Sequence, residues 1–125
     1  MYPPSRRRYR VLLARVVAAR LRRVTIEGSS MEPVLVAGDR LVVVAALTVR
    51  VGDIVALADP RDGRLLVKRV KSVDHRQQLV SVEGDNNRHS TDSRVFGPVR
   101  RDDIIGRAIY RYAPPARAGR VGARR

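Results

Sequence analysis

Asp53-Ile54-Val55-Ala56-Leu57-Ala58-Asp59-Pro60-Arg61-Asp62-Gly63-Arg64-Leu65-Leu66-Val67-Lys68-Arg69-Val70 is the stretch that decides the fold. Two short aliphatic runs flank a cluster of Asp, Pro and Gly. Such clusters turn the chain because Pro fixes φ, Gly accepts positive φ and Asp bonds to its own backbone. The spacing predicts an antiparallel hairpin that pairs Asp53–Leu57 with Leu65–Val70 through Asp59–Arg64. In the second strand, period-2 alternation sets Leu66, Lys68 and Val70 on one face and turns Arg69 to the other, where it can remain solvated. A lysine between two aliphatic residues on the inner face of a sheet loses the hydration of its ammonium, so Lys68 is a candidate for a lowered pKa. The competing reading is a lysine that runs its stem along an edge strand and keeps its amine in water.

The same texture continues on both sides of the hairpin. Val24–Ile26, Arg40–Val44, Leu79–Glu83 and Ile104–Tyr110 read as further strands. Gly38-Asp39, Val51-Gly52-Asp53 and Glu83-Gly84-Asp85-Asn86-Asn87 mark turns between them, with Asp39 and Asp53 read as turn formers rather than catalytic acids. The expected fold is mainly β, a small core of antiparallel strands over residues 24–112. A chain of 125 residues supports one such core and no second one. It has no Cys, so disulfide frameworks and thiolate metal sites are excluded, and its only two histidines do not stand at metal-ligand spacing.

The net charge of +14 suggests nucleic acid until its distribution is read. Residues 1–23 hold eight Arg and residues 113–125 hold four, with no acid in either segment. The centre, residues 24–112, carries 14 basic residues against 12 acidic ones and is close to neutral. A specific nucleic-acid partner is therefore not expected. Within the first arm, Leu13, Val17 and Leu21 would share one ridge of a short amphipathic helix, with Arg15 and Arg22 roughly opposite. Arginines interrupt its apolar runs, so it is not a transmembrane segment. Two readings stand for it: a helix docked on the domain, or a basic helix lying peripherally on an anionic membrane of an otherwise cytoplasmic protein. The second arm, residues 113–125, is rich in Pro, Ala, Gly and Arg without periodicity and is expected to be disordered.

Ser30, in Gly28-Ser29-Ser30-Met31-Glu32-Pro33, is the candidate nucleophile. A serine hydroxyl attacks only if a nearby base takes its proton. His75 and His89 lie in polar stretches that read as solvated loops, which leaves Lys68 as the candidate base, provided that burial lowers its pKa.

Three segments in order resemble the signal peptidase I-like family of Ser/Lys serine proteases. Gly28–Pro33 resembles the nucleophile segment, Gly52-Asp53-Ile54-Val55 through Val67-Lys68-Arg69-Val70 the region of the base, and Gly84-Asp85-Asn86 with Ser90-Thr91-Asp92-Ser93-Arg94 and Gly97 the last segment. The resemblance implies Ser30 as nucleophile, Lys68 as general base and Ser90 as the hydroxyl that orients the lysine. It implies an oxyanion hole from the Ser30 backbone N–H. The second donor falls to a backbone amide near Ser29 or Gly28, because Gly28 stands where some relatives have a serine. Asp92 and Arg94 are implied as a structural ion pair, Met31 as packing and Pro33 as turn rigidity. This chemistry needs no metal or organic cofactor.

The chain departs from membrane signal peptidases in having neither a spanning helix nor a large insertion. It also reads Lys71-Ser72-Val73-Asp74 where many relatives have a Gly-rich turn. Its length and arginine-rich texture resemble the nickel-type superoxide dismutase maturation proteases. The implied activity is removal of an N-terminal leader from a protein precursor, the nickel superoxide dismutase precursor in particular. The alternatives are a membrane-associated enzyme acting on secretory precursors, a self-cleaving repressor, for which 23 N-terminal residues are too few to form a DNA-reading module, and a non-catalytic basic β module.

Overall fold

The computed structural model describes residues 20–45 and 48–121. Eight strands form one antiparallel sheet: β1 (Leu21–Thr25), β2 (Arg40–Val44), β3 (Ile54–Ala58), β4 (Leu65–Asp74), β5 (Leu79–Glu83), β6 (Val99–Arg100), β7 (Ile104–Ala113) and β8 (Gly119–Arg120). Their order in space is β1-β2-β7-β3-β4-β5-β6, with β8 pairing alongside β7. The fold is mainly β, as the sequence implies.

The deciding hairpin forms with the expected antiparallel pairing, in a register that runs from Ile54 opposite Arg69 to Ala58 opposite Leu65. Its connection is organised by Asp59, which is 3 % exposed and accepts the Arg61 backbone N–H at 2.9 Å and that residue's guanidinium at 3.0 and 2.7 Å. The Arg61 guanidinium holds the Asp59 carboxyl down at about 2. Strand β3 lies between β4 and β7, and this position explains its unbroken apolar run. Ile54 and Ala56 pack with Met31, Leu35 and Leu41 in one core cluster, while Val55 and Leu57 pack with Val70, Val80 and Val82 in the other.

Apart from shifts of one residue at the ends of β1 and β3, the structure differs from the sequence reading in four places. Strand β1 starts at Leu21, inside the stretch assigned to the basic arm, because Leu21, Arg22 and Arg23 pair with Val44, Val43 and Val42. Arg20 is a turn residue, and the expected N-terminal helix before it lies outside the described residues. The departure at Lys71–Asp74 is a continuation of β4, with a register shift between Val70 and Ser72 that admits one extra residue. Strand β7 runs on to Ala113. The C-terminal segment, expected to be disordered from Ala113, folds back as a 3-10 turn (Pro115–Arg117) followed by β8, which pairs with Tyr110 and Arg111. Its anchor is a buried carboxylate 78 positions away in sequence, which local composition does not report.

Candidate active site

Strand β4 delivers Lys68 to the inside of the sheet. Leu66 and Val70 pack with one core cluster and Val67 with the other, so the alternation holds and Lys68 opposes Val55 of β3. The lysine is 3 % exposed. Burial pushes its amine below the ordinary lysine value; the Asp92 carboxylate pulls it back up and the Arg94 guanidinium pushes it down.

The Lys68 Nζ donates to Ser90 Oγ at 3.0 Å, and Ser90 Oγ donates in turn to Asp92 Oδ2 at 2.8 Å. The direction of this chain follows from the acceptor at its end. An ionised carboxylate has no proton to give, so the Ser90 proton points to Asp92, and the Ser90 oxygen receives from the lysine. Asp92 is fully buried and accepts from Gly84 N–H at 3.0 Å and from both arms of Arg94, at 2.9 and 2.7 Å. Burial alone would raise its pKa. The hydrogen bonds from Arg94, Gly84 and Ser90 outweigh that and keep it well below the usual carboxylate range. The same carboxylate caps the single helical turn α1 (Ser93–Phe96) by accepting the Arg94 N–H.

Ser30 begins the turn between β1 and β2. Its carbonyl accepts the Asn86 N–H at 2.8 Å, and the Ser29 carbonyl accepts the Asn86 side-chain amide at 3.1 Å. The turn after β5 therefore grips the backbone of the serine. A groove of about 290 Å³ is lined by Ser30 and Lys68 together with Val24, Ile26, Met31 and Leu66, so the two candidate residues share one wall-to-wall space. Met31 is 2 % exposed and belongs to the core, whereas Pro33 is exposed. Gly28 takes a positive φ of 72° at an exposed bend two residues before Ser30.

His75 and His89 are exposed, in a turn and a 3-10 turn respectively. Asp53 accepts the Arg50 N–H at 2.9 Å and so serves its turn, and Asp39 likewise accepts Val36 N–H at 3.0 Å. Among the described residues no group of three or more His, Asp and Glu side chains converges as a metal site would require.

Arg69 is only partly withdrawn from solvent, with 29 % of its side chain exposed. It does face away from Lys68, but its guanidinium forks onto both oxygens of Asp85 at 2.8 Å and reaches the Gly52 carbonyl at 2.9 Å. Together with Asn86, this ties the strand that carries the lysine to the turn that holds the serine. The Gly84-Asp85-Asn86 run signals a turn in the sequence, but nothing local in it names those partners.

The site thus comprises a buried strand-borne lysine, hydrogen-bonded through a serine to a buried aspartate and sharing a groove with a turn serine. The chain is a member of the Peptidase S24-like family, whose sequence profile matches residues 7–109. It is 33 % identical over 121 residues to mitochondrial inner membrane protease subunit 2 of Mus musculus, covering 77 % of this chain and 69 % of that one. The corresponding subunit of Schizosaccharomyces pombe is 35 % identical over 121 residues, covering 78 % and 67 %. Probable signal peptidase I-1 of Synechocystis is 43 % identical over 44 residues, covering 35 % of this chain and 22 % of that protein.

Proposed function

We propose that the protein is a serine endopeptidase that uses Ser30 as nucleophile and Lys68 as general base to remove an N-terminal leader from a protein precursor. The hydrogen-bond chain from Lys68 through Ser90 to Asp92 carries this reading. A neutral amine has two N–H groups and one lone pair. Because Ser90 must accept, it occupies an N–H of Lys68 and leaves the lone pair for the Ser30 proton.

In the first step Ser30 Oγ bonds to the scissile carbonyl carbon as its proton moves to Lys68 Nζ. Collapse of the tetrahedral intermediate breaks the C–N bond, and Lys68 returns the proton to the leaving amine. Water then gives a proton to Lys68 Nζ as its oxygen bonds to the ester carbonyl carbon; the acyl–Oγ bond breaks, Lys68 returns that proton to Ser30 Oγ, and the new carboxyl end of the leader departs. The Ser30 backbone N–H, with an amide near Ser29 or Gly28, is proposed to face the developing oxyanion. An extended substrate segment fits the groove as an added strand.

The precursor we propose is that of nickel superoxide dismutase, a choice supported by the arginine-rich texture of the chain; a secretory precursor at a membrane is the second reading. Residues 1–23 supply the positive charge for a peripheral contact with an anionic membrane. Among the described residues no helix is long and apolar enough to cross one. Wild-type and Ser30→Ala chains incubated with each precursor are expected to differ completely, the wild type releasing a single new N-terminus by mass spectrometry. Cleavage by Ser30→Ala at the wild-type rate rejects the assignment, and the precursor that is cut identifies the substrate.

The proposed base also sets the pH dependence. Activity needs the neutral amine, so the rate rises with pH through the lysine's apparent pKa. Arg94 pushes that pKa down, while Asp92 pulls it up. Arg94→Gln leaves the Asp92 charge uncompensated, and the acidic limb of the kcat/KM profile is expected to move to higher pH. An unmoved or acid-shifted limb would count against Lys68 as the titrating group.

A further inference from the structure

Asp39, at the end of the turn that begins with Ser30, is 1 % exposed and lies outside the hydrogen-bond chain described above. Its Oδ2 accepts Val36 N–H at 3.0 Å, Arg111 Nη1 at 3.0 Å and Arg117 Nη2 at 3.2 Å, and its Oδ1 accepts Arg117 Nε at 3.1 Å. Both guanidiniums also reach the Val34 carbonyl, Arg111 at 2.9 Å and Arg117 at 3.4 Å. Arg111 Nε in turn donates to the Arg117 carbonyl at 2.6 Å.

One guanidinium is enough to neutralise a buried carboxylate, and Arg111 already stands on β7 of the sheet. The second comes from the C-terminal segment, so its effect is chiefly geometric: it fastens that segment across the serine-bearing turn. The base of the turn is closed by Ile26, whose N–H donates to the Asp39 carbonyl at 2.8 Å and whose carbonyl accepts Gly38 N–H at 2.9 Å. Inside it, Leu35 N–H donates to the Met31 carbonyl at 2.9 Å. The Arg117 clasp grips the stretch Val34–Asp39 between those two fixed points. Ser30 is thus held from two sides, by Asn86 at its own carbonyl and by the clasp at the far end of its turn. Asp39's carboxyl is burdened by burial, but the Arg117, Val36 and Arg111 hydrogen bonds prevail and keep it ionised below the usual range.

We propose that Arg117 is a positioning residue for Ser30, acting through Asp39 and Val34 to lock the turn that presents the nucleophile. The proposal rests on Ser30 as nucleophile, and its test separates the two. Arg117→Ala leaves Arg111 on Asp39, so the buried charge stays paired. In the full-length Arg117→Ala chain, hydrogen exchange over residues 31–38, the Val36 amide above all, is expected to quicken at least tenfold while β5 stays at wild-type protection. With a precursor peptide cut by the wild type, kcat is expected to fall about tenfold with KM within twofold, the signature of a displaced reacting group rather than lost binding. Arg117→Lys, which keeps the charge but not the fork, should lie between the two.

Unchanged exchange in residues 31–38 overturns the proposal, as does an equal rise in β5, which would mark a general structural role. Quicker exchange in the turn with unaltered kcat overturns it as well. The exchange measurement repeated on Ser30→Ala and on Ser30→Ala/Arg117→Ala needs no activity. If Ser30→Ala still cleaves, the nucleophile reading fails on that result, and the clasp is judged by exchange.

Discussion

Lys68→Met should abolish peptide cleavage, at least ~10³-fold, while leaving the protein as stable as before or more so. The two effects have one cause. Methionine nearly matches the lysine stem in length and is at home in the apolar surroundings of β4, where Leu66 and Val70 flank the position. The wild-type amine is 3 % exposed, and its charged form is penalised there chiefly by burial. A lysine whose folded pKa lies below its unfolded value makes stability rise with pH across the interval between the two, because there the unfolded chain binds more protons. The full cost of burying the ammonium is felt below the folded pKa and disappears above the unfolded one. Methionine removes that cost at every pH. The lost hydrogen bond leaves no buried donor unpaired, because Ser90 still donates to Asp92 and gives up only an acceptance. Thermal melts at pH 7 and pH 11 provide the check: the wild type should gain relative to Lys68→Met on going to pH 11. A large fall in melting temperature at pH 7, or retained cleavage, would sink this account of the lysine.

The sequence discloses what periodicity and turn chemistry encode. Strands β2 and β5 have the expected bounds, and β3, β4 and β7 the expected cores, because their alternation is strong and Gly, Pro or Asp stops them. The face of Lys68 follows from the same period, and its neighbours at Ser90 and Asp92 follow from the motif resemblance. What stays hidden is every partnership between distant charged groups. Arg69 looks like a solvated residue until Asp85 is known to lie beside it. Arg117 looks like tail composition until Asp39 is known to be buried. The two-residue strands β6 and β8 are too short to carry a period, and the start of β1 is masked by Arg22 and Arg23, which are exposed while their backbone pairs with β2. Local signals therefore place the two candidate side chains, whereas the braces around them are written in ion pairs that only the folded chain brings together.

Gly84 lies between Ser30 and Ser90, and Gly84→Ala is expected to lower kcat by about two orders of magnitude, the scale associated with a ~1 Å misplacement of reacting groups. The residue is buried, and its N–H donates to Asp92 Oδ2. A Cβ built there would come within 2.6 Å of the Ser30 carbonyl oxygen on one side and of Ser90 Cβ on the other, closer still to the Ser90 hydroxyl. Neither neighbour is a flexible end that can swing away. The Ser30 carbonyl is fixed by Asn86, and the Ser90 hydroxyl is fixed between Lys68 and Asp92. The methyl group must therefore push the nucleophile's turn and the lysine-orienting serine apart, which disturbs both halves of the proposed dyad at once. Overpacking of this kind costs roughly 1–3 kcal/mol, so the variant should still fold but melt several degrees lower. The sharper readout is the ratio of effects: a loss in kcat far beyond what the lowered melting temperature explains, with the Lys68–Ser90 distance lengthened in a crystal structure of the variant. Wild-type turnover in Gly84→Ala would mean that Ser30 and Ser90 need not be held at this spacing, and the proposed geometry of catalysis would fall with it.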